Sequence, residues 1–214
     1  MRWQTLFKNI PFSVSDDKPW SILLALDEFL STIVGNGHSF METGFNIQGT
    51  VYIAPDAVIE KGATIIGPAY IGPGVTIKQG AYLRGGVYLA RGAVVGHATE
   101  VKHALFLEHS YAPHFNYVGD SVLGRDVNLG AGVKISNFKN DGSEIVIDNI
   151  PTSLRKVGAF IGDGTKIGCN SVTAPGTIIG KDCLVYPLVS LRGIIPAGSV
   201  VKLKQEQEIV PRKF

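Results

Sequence analysis

The chain of 214 residues has few charges, few cysteines and no long apolar run. Lysine and arginine number 20 against 18 aspartates and glutamates, so the chain lacks the basic field that nucleic-acid binding needs. Two cysteines are too few for a disulfide framework, which favours a reduced, cytoplasmic protein. Glycine, proline or charge interrupts every apolar run well short of the roughly 18 residues of a membrane helix, and no secretory signal is visible at the start.

Residues 1–46 hold one predicted amphipathic helix, with apolar residues spaced along one face from Trp20 to Val34. Asp17 is the expected cap, Pro19 lies near the first turn, and Gly35 marks the end. We expect this helix to pack over one end of the main domain. The alternative is a helix that binds a partner.

Aliphatic residues then recur at every sixth position, beginning at Ile47. The unbroken series is Ile47, Ile53, Ile59, Ile65, Ile71, Ile77, Leu83, Leu89, Val95, Val101 and Leu107. The frame slips around 113–116, resumes at Tyr117, breaks over a predicted loop at 136–160 and returns at Ile161. Twenty-six glycines supply residues for tight corners.

A period of six fits neither a helix nor a single strand, but it fits a short strand followed by a turn. Three such units close one triangular coil, and stacked coils bury a continuous aliphatic column. The sequence therefore predicts a mostly β protein, a parallel β-helix of about seven coils over 47–202 that includes the loop 136–160. Residues 203–214 form a C-terminal tail.

Two cations are predicted to stack on neighbouring coils of this helix. Arg84 and Lys102 each follow an inward aliphatic residue and lie eighteen positions apart. Stacked cations repel unless an anion lies between them, which indicates a phosphate clamp. The alternative is a solvated pair that Glu100 neutralises in part.

The histidines do not predict a metal site, because their spacing places them on successive faces. The four are His97, His103, His109 and His114. Zinc requires nitrogens at about 2.0–2.1 Å from one common ion, so we expect no bound metal. His114 differs because it falls in the segment 113–116, which is expected to bulge from its coil. A histidine there is a candidate general base, and an ordinary exposed loop histidine is the alternative.

The stretch from Glu100 to Phe138 resembles a known family. The matching segments are Glu100-Val101-Lys102, His114-Phe115-Asn116-Tyr117-Val118-Gly119-Asp120, Val127-Asn128-Leu129-Gly130-Ala131-Gly132 and Ser136-Asn137-Phe138. They are similar to the acetyltransferase half of the bifunctional glucosamine-1-phosphate acetyltransferase/N-acetylglucosamine-1-phosphate uridylyltransferase family. Val157–Gly164 and Thr173–Gly176 resemble its archaeal sugar-phosphate relatives, and the resemblance covers about 47–202.

The resemblance implies a left-handed β-helix, assembled as a homotrimer, that passes acetyl from acetyl-CoA to the amine of glucosamine 1-phosphate or a nucleotide amino sugar. It implies roles for nine residues. The base is His114, Glu100 is the acidic neighbour, Arg84 and Lys102 bind phosphate, Tyr117, Asn128 and Asn137 contact the substrate, and Ala131 and Cys169 touch acetyl-CoA. The Asn137 amide or a corner backbone amide would supply the oxyanion donor.

Two differences from the family leave alternatives open. Residues 1–46 are too short for the nucleotidyltransferase half, which leaves open a separate nucleotidyltransferase as a partner. The family's loop lysine has no unique counterpart, with Lys139, Arg155 and Lys156 as candidates. The chain could also use another acyl donor or acceptor, or be a non-catalytic trimeric scaffold.

Overall fold

The computed structural model describes residues 2–37 and 44–212. A short 3-10 turn at Trp3–Thr5 and the helix α1 (Ser21–Thr32) precede a long series of short strands. In this part of the chain no helix is long and apolar enough to cross a membrane.

The strands are two to seven residues long. In chain order they are β1 (Asn46–Gln48), β2 (Val51–Ile53), β3 (Val58–Ile59), β4 (Thr64–Ile66), β5 (Ala69–Ile71), β6 (Thr76–Ile77), β7 (Tyr82–Arg84), β8 (Val87–Leu89), β9 (Val94–His97), β10 (Glu100–Phe106), β11 (Tyr111–His114), β12 (Tyr117–Leu123), β13 (Asn128–Leu129), β14 (Lys134–Ile135), β15 (Val146–Ile147), β16 (Ile150–Pro151), β17 (Ala159–Ile161), β18 (Lys166–Ile167), β19 (Val172–Thr173), β20 (Thr177–Ile179), β21 (Leu184–Val185), β22 (Ser190–Leu191), β23 (Ile194–Ile195) and β24 (Val200–Val201).

These strands build a triangular prism with three flat faces. Face 1 contains β1, β4, β7, β10, β12, β14, β19 and β22; face 2 contains β2, β5, β8, β10, β12, β17, β20 and β23; face 3 contains β3, β6, β9, β11, β13, β18, β21 and β24. Neighbouring coils pair in parallel register, as between Ile47 and Ile65. The predicted parallel β-helix is confirmed, but the coil count is wrong, because each face has eight rungs within residues 44–212.

The period of six gives too few coils, because some strand-and-turn units are shorter than six residues. These short units lie at one corner each of the fourth and fifth coils and in the last coil. The inward residues of the fourth coil are Val101 and Phe106, five positions apart, rather than Val101 and Leu107. In the fifth coil Val118 points inward in place of Tyr117. Shortened units shift the frame, so Ala112, Ile195 and Val201 also face the inner core although the period of six skips them.

The expected bulge at 113–116 is likewise absent from the structure. Residues up to His114 belong to β11, and His114 pairs in register with His97 of the coil before. The apparent slip in the sequence therefore reflects coils of seventeen residues, as between Val101 and Val118.

A second hydrophobic cluster, the outer core, covers the outside of face 2. Leu23 and Leu26 of α1 pack there with Leu105 and Val122, all almost fully buried. The helix thus covers a flat side of the prism. The expectation that it packs over one end is wrong. Trp20 is its N-cap residue, so the Asp17 cap prediction is wrong, and the helix ends at Thr32 before Gly35.

The predicted loop folds over the same side. It leaves the prism after Ile135, forms an antiparallel hairpin of β15 and β16, and returns at Ala159. Ile145 and Ile147 are buried in the outer core. An antiparallel bridge between Phe138 and Lys156 closes the neck of the loop beside face 1.

Candidate functional site

Four of the predicted site residues line one cavity on face 1. This face-1 cavity has a volume of about 330 Å³ and is lined by Arg84, Lys102, Tyr117, Asn137, Phe138 and Lys156. Strand register brings these residues together from distant positions. Val101 pairs with Leu83 and with Val118, so Arg84 and Lys102, which follow the first two, lie on neighbouring coils. Tyr117, which precedes Val118, lines the same cavity from the next coil.

Each cation of the cavity has a carboxylate beside it. Arg84 Nη1 donates to Glu100 Oε1 at 2.6 Å, and this hydrogen bond raises the pKa of the guanidinium further. Lys102 Nζ lies 3.8 Å from Asp120 Oδ1, and the Lys102 side chain is 28% exposed. Glu100 is thus the partner of Arg84, and both cations keep surface that an anion can reach.

Tyr117 and Asn137 supply the neutral polar groups of the cavity. Burial raises the pKa of the Tyr117 phenol, while a hydrogen bond from the Asn137 side chain acts in the opposite direction. Asn137 Nδ2 also donates to Asp120 Oδ2. Gly119 leaves room for both groups, because a Cβ there would approach Asn137 Nδ2 and the Tyr117 hydroxyl to 2.7 Å.

Of the three candidates for the family's loop lysine, Lys156 is the one that lines the cavity. The other two candidates for the missing lysine bond within the loop. Lys139 Nζ donates to the carbonyl oxygen of Glu144 at 2.6 Å, and Arg155 Nε donates to that of Gly142 at 3.0 Å. The loop folds back at its neck, which places Lys156 beside the cavity. The sequence alone does not predict this folding.

The predicted base lies at the other edge of face 1. His114 ends β11, at the corner between face 3 and face 1, and lines a separate cavity of about 430 Å³ with His97. Asn116 holds this corner: its Oδ1 accepts from the His114 backbone N–H at 3.1 Å, and its Nδ2 donates to the Gly130 carbonyl at 2.7 Å. Within the chain, His114 and the face-1 cavity therefore flank the same flat face.

The residues predicted to touch acetyl-CoA lie along the corner of His114. The Gly132 N–H donates to the His114 carbonyl at 2.9 Å, and the Asn170 N–H donates to the Ala131 carbonyl at 2.8 Å. Ala131 and Cys169 therefore follow His114 on the next two coils of this corner, and Cys169 is exposed.

Asn128 is the predicted site residue that lies apart from both groups. It belongs to face 3, where β13 pairs it with Tyr111 and Lys166. No group of three His, Cys, Asp or Glu side chains within 2–37 and 44–212 is arranged to hold a metal ion.

Two polar residues of the site lay outside the sequence predictions. In the sequence, Asp120 is only part of a segment that carries the resemblance, and His103 is only one of four histidines placed on successive faces. In the structure His103 Nδ1 lies 2.8 Å from Asp120 Oδ1, and Asp120 contacts both Lys102 and Asn137. Their spacing of seventeen, equal to the shortened coil, is the signal that would have paired them.

Comparison with known proteins relates the chain to bifunctional enzymes. No family model matches it. It is 45% identical over 199 residues to the bifunctional protein GlmU of Methanococcus maripaludis strain C7, covering 91% of this chain and 48% of that protein. It is 40% identical over 179 residues to a bifunctional sugar-1-phosphate nucleotidylyltransferase/acetyltransferase of Sulfurisphaera tokodaii, covering 79% and 44%. The resemblance predicted from the motifs is confirmed.

The chain spans about half the length of the curated relatives it matches, a share that fits their acetyltransferase half. Solved structures with a similar fold include a UDP-N-acetylglucosamine acyltransferase of Francisella novicida, at 13% identity and TM-score 0.44, covering 74% of this chain and 59% of that one. The acetyltransferase domain of PglB from Neisseria gonorrhoeae, in complex with acetyl coenzyme A, has 19% identity and TM-score 0.34, covering 70% and 53%. Likeness at this level carries no assignment of function.

Proposed function

We propose that this chain transfers the acetyl group of acetyl-CoA to the amine of an amino-sugar 1-phosphate. The observation that carries the proposal is the face-1 cavity, where Arg84, Lys102 and Lys156 surround two neutral polar side chains. Three cations around one small cavity fit a phosphate dianion. The relative from Sulfurisphaera tokodaii, named a bifunctional sugar-1-phosphate nucleotidylyltransferase/acetyltransferase, supports the same class of acceptor.

The phosphate end of the acceptor would bind at the cations. Arg84 uses one nitrogen to hold Glu100, which orients the guanidinium and leaves its other donors for a phosphate oxygen. Lys102 and Lys156 supply point charges from the neighbouring coil and from the loop neck. The Tyr117 hydroxyl and the Asn137 amide then contact the sugar.

The amine would lie toward His114. Tyr117 and Gly119 are two strand positions apart, about 7 Å at roughly 3.3 Å per residue, a width that a sugar phosphate spans together with the flanking side chains. The amine nitrogen attacks the thioester carbonyl carbon, and His114 accepts the proton that the nitrogen loses. The C–S bond breaks as the tetrahedral intermediate collapses, and coenzyme A leaves as the thiol after protonation.

Acetyl-CoA would lie along the corner that carries Ala131 and Cys169. Backbone N–H groups of this corner are the oxyanion donors in the proposal, because Asn137 Nδ2 already donates to Asp120. Asn128, on face 3, would then belong to a surface that another subunit completes.

We infer that the chain assembles as a homotrimer. The last coils leave large apolar side chains on the surface, including Leu184 at 44%, Leu188 at 56% and Val200 at 55% exposure. A closed cyclic assembly would cover them and enclose the coenzyme between two chains.

The test is release of the coenzyme A thiol from acetyl-CoA with a set of acceptors. Glucosamine 1-phosphate should support turnover, and glucosamine without phosphate should not, because the three cations would have no anion to bind. A nucleotide amino sugar belongs in the set, since a second cavity of about 530 Å³ shares Phe138 and Lys156 with the first. If none of these acceptors supports release of the thiol, a non-catalytic scaffold is favoured.

A further inference from the structure

A tight corner distinguishes the fourth and fifth coils from the first three. In the third coil two glycines, Gly85 and Gly86, turn the chain between face 1 and face 2. In the next two coils one residue fewer makes the turn, and His103 and Asp120 adopt positive φ angles of 45° and 47°. β10 and β12 therefore run through the corner without a break, and the two side chains stack on its outside.

The stacked side chains form a chain of polar contacts that ends at the face-1 cavity. Asp27 Oδ1 of α1 lies 3.2 Å from His103 Nε2, at an ion-pair distance but outside hydrogen-bond geometry. His103 Nδ1 lies 2.8 Å from Asp120 Oδ1. Asp120, only 5% exposed, then contacts Lys102 through Oδ1 and accepts from Asn137 through Oδ2.

The charges of this chain of contacts favour an imidazolium between two carboxylates. Burial acts to lower the pKa of His103, but Asp120 and Asp27 act in the opposite direction, and the net shift is upward. Burial likewise acts to raise the pKa of Asp120, and the hydrogen bonds from His103 and Asn137 reverse it. A carboxylate only accepts hydrogen bonds, so Asp120 also fixes which end of the Asn137 amide faces it.

We propose that His103 and Asp120 are positioning residues for the phosphorylated acceptor, with Asp27 linking helix α1 to the same site. The proposal rests on the function proposed above, since Lys102 and Asn137 are the groups that they position. The positive imidazole neutralises Asp120 and leaves the Lys102 ammonium free to bind phosphate. Without that charge, Asp120 competes with the phosphate for Lys102.

The neighbours of His103 decide how this effect depends on pH. Charged groups face it from α1 (Asp27), from β12 (Asp120), from its own strand (Lys102) and from the loop, where Arg155 and Lys156 line the same cavity. The pKa of His103 is raised, so its charge is present below that pKa and is lost as pH rises through it. The benefit to acceptor binding should be lost over the same interval.

The decisive variant is His103→Asn, because asparagine tolerates a positive φ and cannot titrate. We expect it to raise the KM for glucosamine 1-phosphate by about tenfold to a hundredfold, the range that misplacement of a positioned group costs, with the KM for acetyl-CoA almost unchanged. The ratio of variant to wild-type KM should fall toward one as pH rises. Asp56→Asn, an exposed carboxylate of a distant coil, is the matched control.

Asp120→Asn tests the route of the effect. If Asp120 transmits the charge of His103, adding His103→Asn to Asp120→Asn should change the acceptor KM little further, so the two effects are not additive. Asp27→Asn, a change at a side chain 60% exposed, should act in the same direction as His103→Asn but more weakly, and serves if His103→Asn does not fold.

Two kinetic results and one binding result would overturn the proposal. One is a ratio of KM values that does not change with pH, and the other is equal loss for both substrates together with a lower melting temperature, which a purely structural role would give. Calorimetric binding of inorganic phosphate to wild type and His103→Asn separates this proposal from the proposed function. Failure of the wild type to transfer acetyl would contradict the proposed function alone. Equal affinity of wild type and His103→Asn for inorganic phosphate would contradict the positioning role.

Discussion

At the scale of single residues, the cations of the face-1 cavity come from three parts of the chain. Arg84 and Lys102 stand on neighbouring coils, and Lys156 stands at the neck of the loop. The first two follow from the repeat, because eighteen residues bring a side chain back to the same edge. The third depends on how the loop closes, through its bridge to Phe138.

We expect Lys156→Ala to weaken binding of the phosphorylated acceptor by about tenfold or more, since a hydrogen bond to a charged group contributes roughly 1.5–3 kcal/mol. Arg84→Ala and Lys102→Ala should act in the same direction without unfolding the protein. Lys139→Ala is the matched control, because Lys139 bonds to Glu144 inside the loop and does not line the cavity. Acceptor KM values measured at saturating acetyl-CoA check this, and equal effects of Lys139→Ala and Lys156→Ala would contradict it.

His114→Ala should lower turnover by about 10²–10⁴-fold, the usual contribution of a general base, with little change in the KM for acetyl-CoA. Steady-state turnover at saturating concentrations of both substrates measures the effect.

His97→Ala is the control for this experiment. His97 pairs with His114 on the coil before, lines the same cavity and bonds through Nδ1 to the Gln79 carbonyl at 2.7 Å. Its removal changes the same surface without removing the proposed base. Near-normal turnover of His114→Ala, or an equal loss in His97→Ala, would mean that the base lies elsewhere.

At the scale of elements, helix α1 and the loop are fixed by the outer core on face 2. Leu26 of α1 is fully buried against this side, whereas Leu24, two residues earlier, is 52% exposed. Truncation of a buried leucine loses its transfer free energy and leaves a cavity, which together cost about 2–5 kcal/mol. Exposed leucines contribute little.

We therefore expect Leu26→Ala to lower the free energy of unfolding by about 2–5 kcal/mol and Leu24→Ala by less than about 0.5 kcal/mol. Urea denaturation followed by circular dichroism measures both. Similar losses in the two variants would show that α1 does not pack on face 2 through the buried side.

At the scale of the whole molecule, a single prism leaves the predicted catalytic groups on two edges of face 1 and one substrate residue, Asn128, on face 3. We expect a trimer, so light scattering should give roughly three times the chain mass of 22.9 kDa. Leu188→Lys, which places a charge on the exposed apolar surface of the last coils, should lower that mass. A wild-type mass equal to that of one chain would contradict the prediction of a trimer.

The sequence by itself determined the β-helix. One inward aliphatic residue per flat side is a local requirement repeated along the chain, so a period of six is enough to predict coils, parallel pairing and the stacking of Arg84 on Lys102. It could not fix the coil count. A corner one residue shorter leaves the same residue types in place and shifts only the frame, as at His103 and Asp120.

Only the tertiary structure decided which side chains are neighbours around those corners. Asp27, Asp120 and Lys156 meet near one cavity although α1, a shortened corner and a loop neck carry them. No local pattern encodes such a meeting, because it depends on which side of the prism the apolar surfaces of α1 and the loop cover. The burial of those surfaces on face 2, and not any motif, brings the helix carboxylate to His103 and the loop lysine to the cations of the repeat.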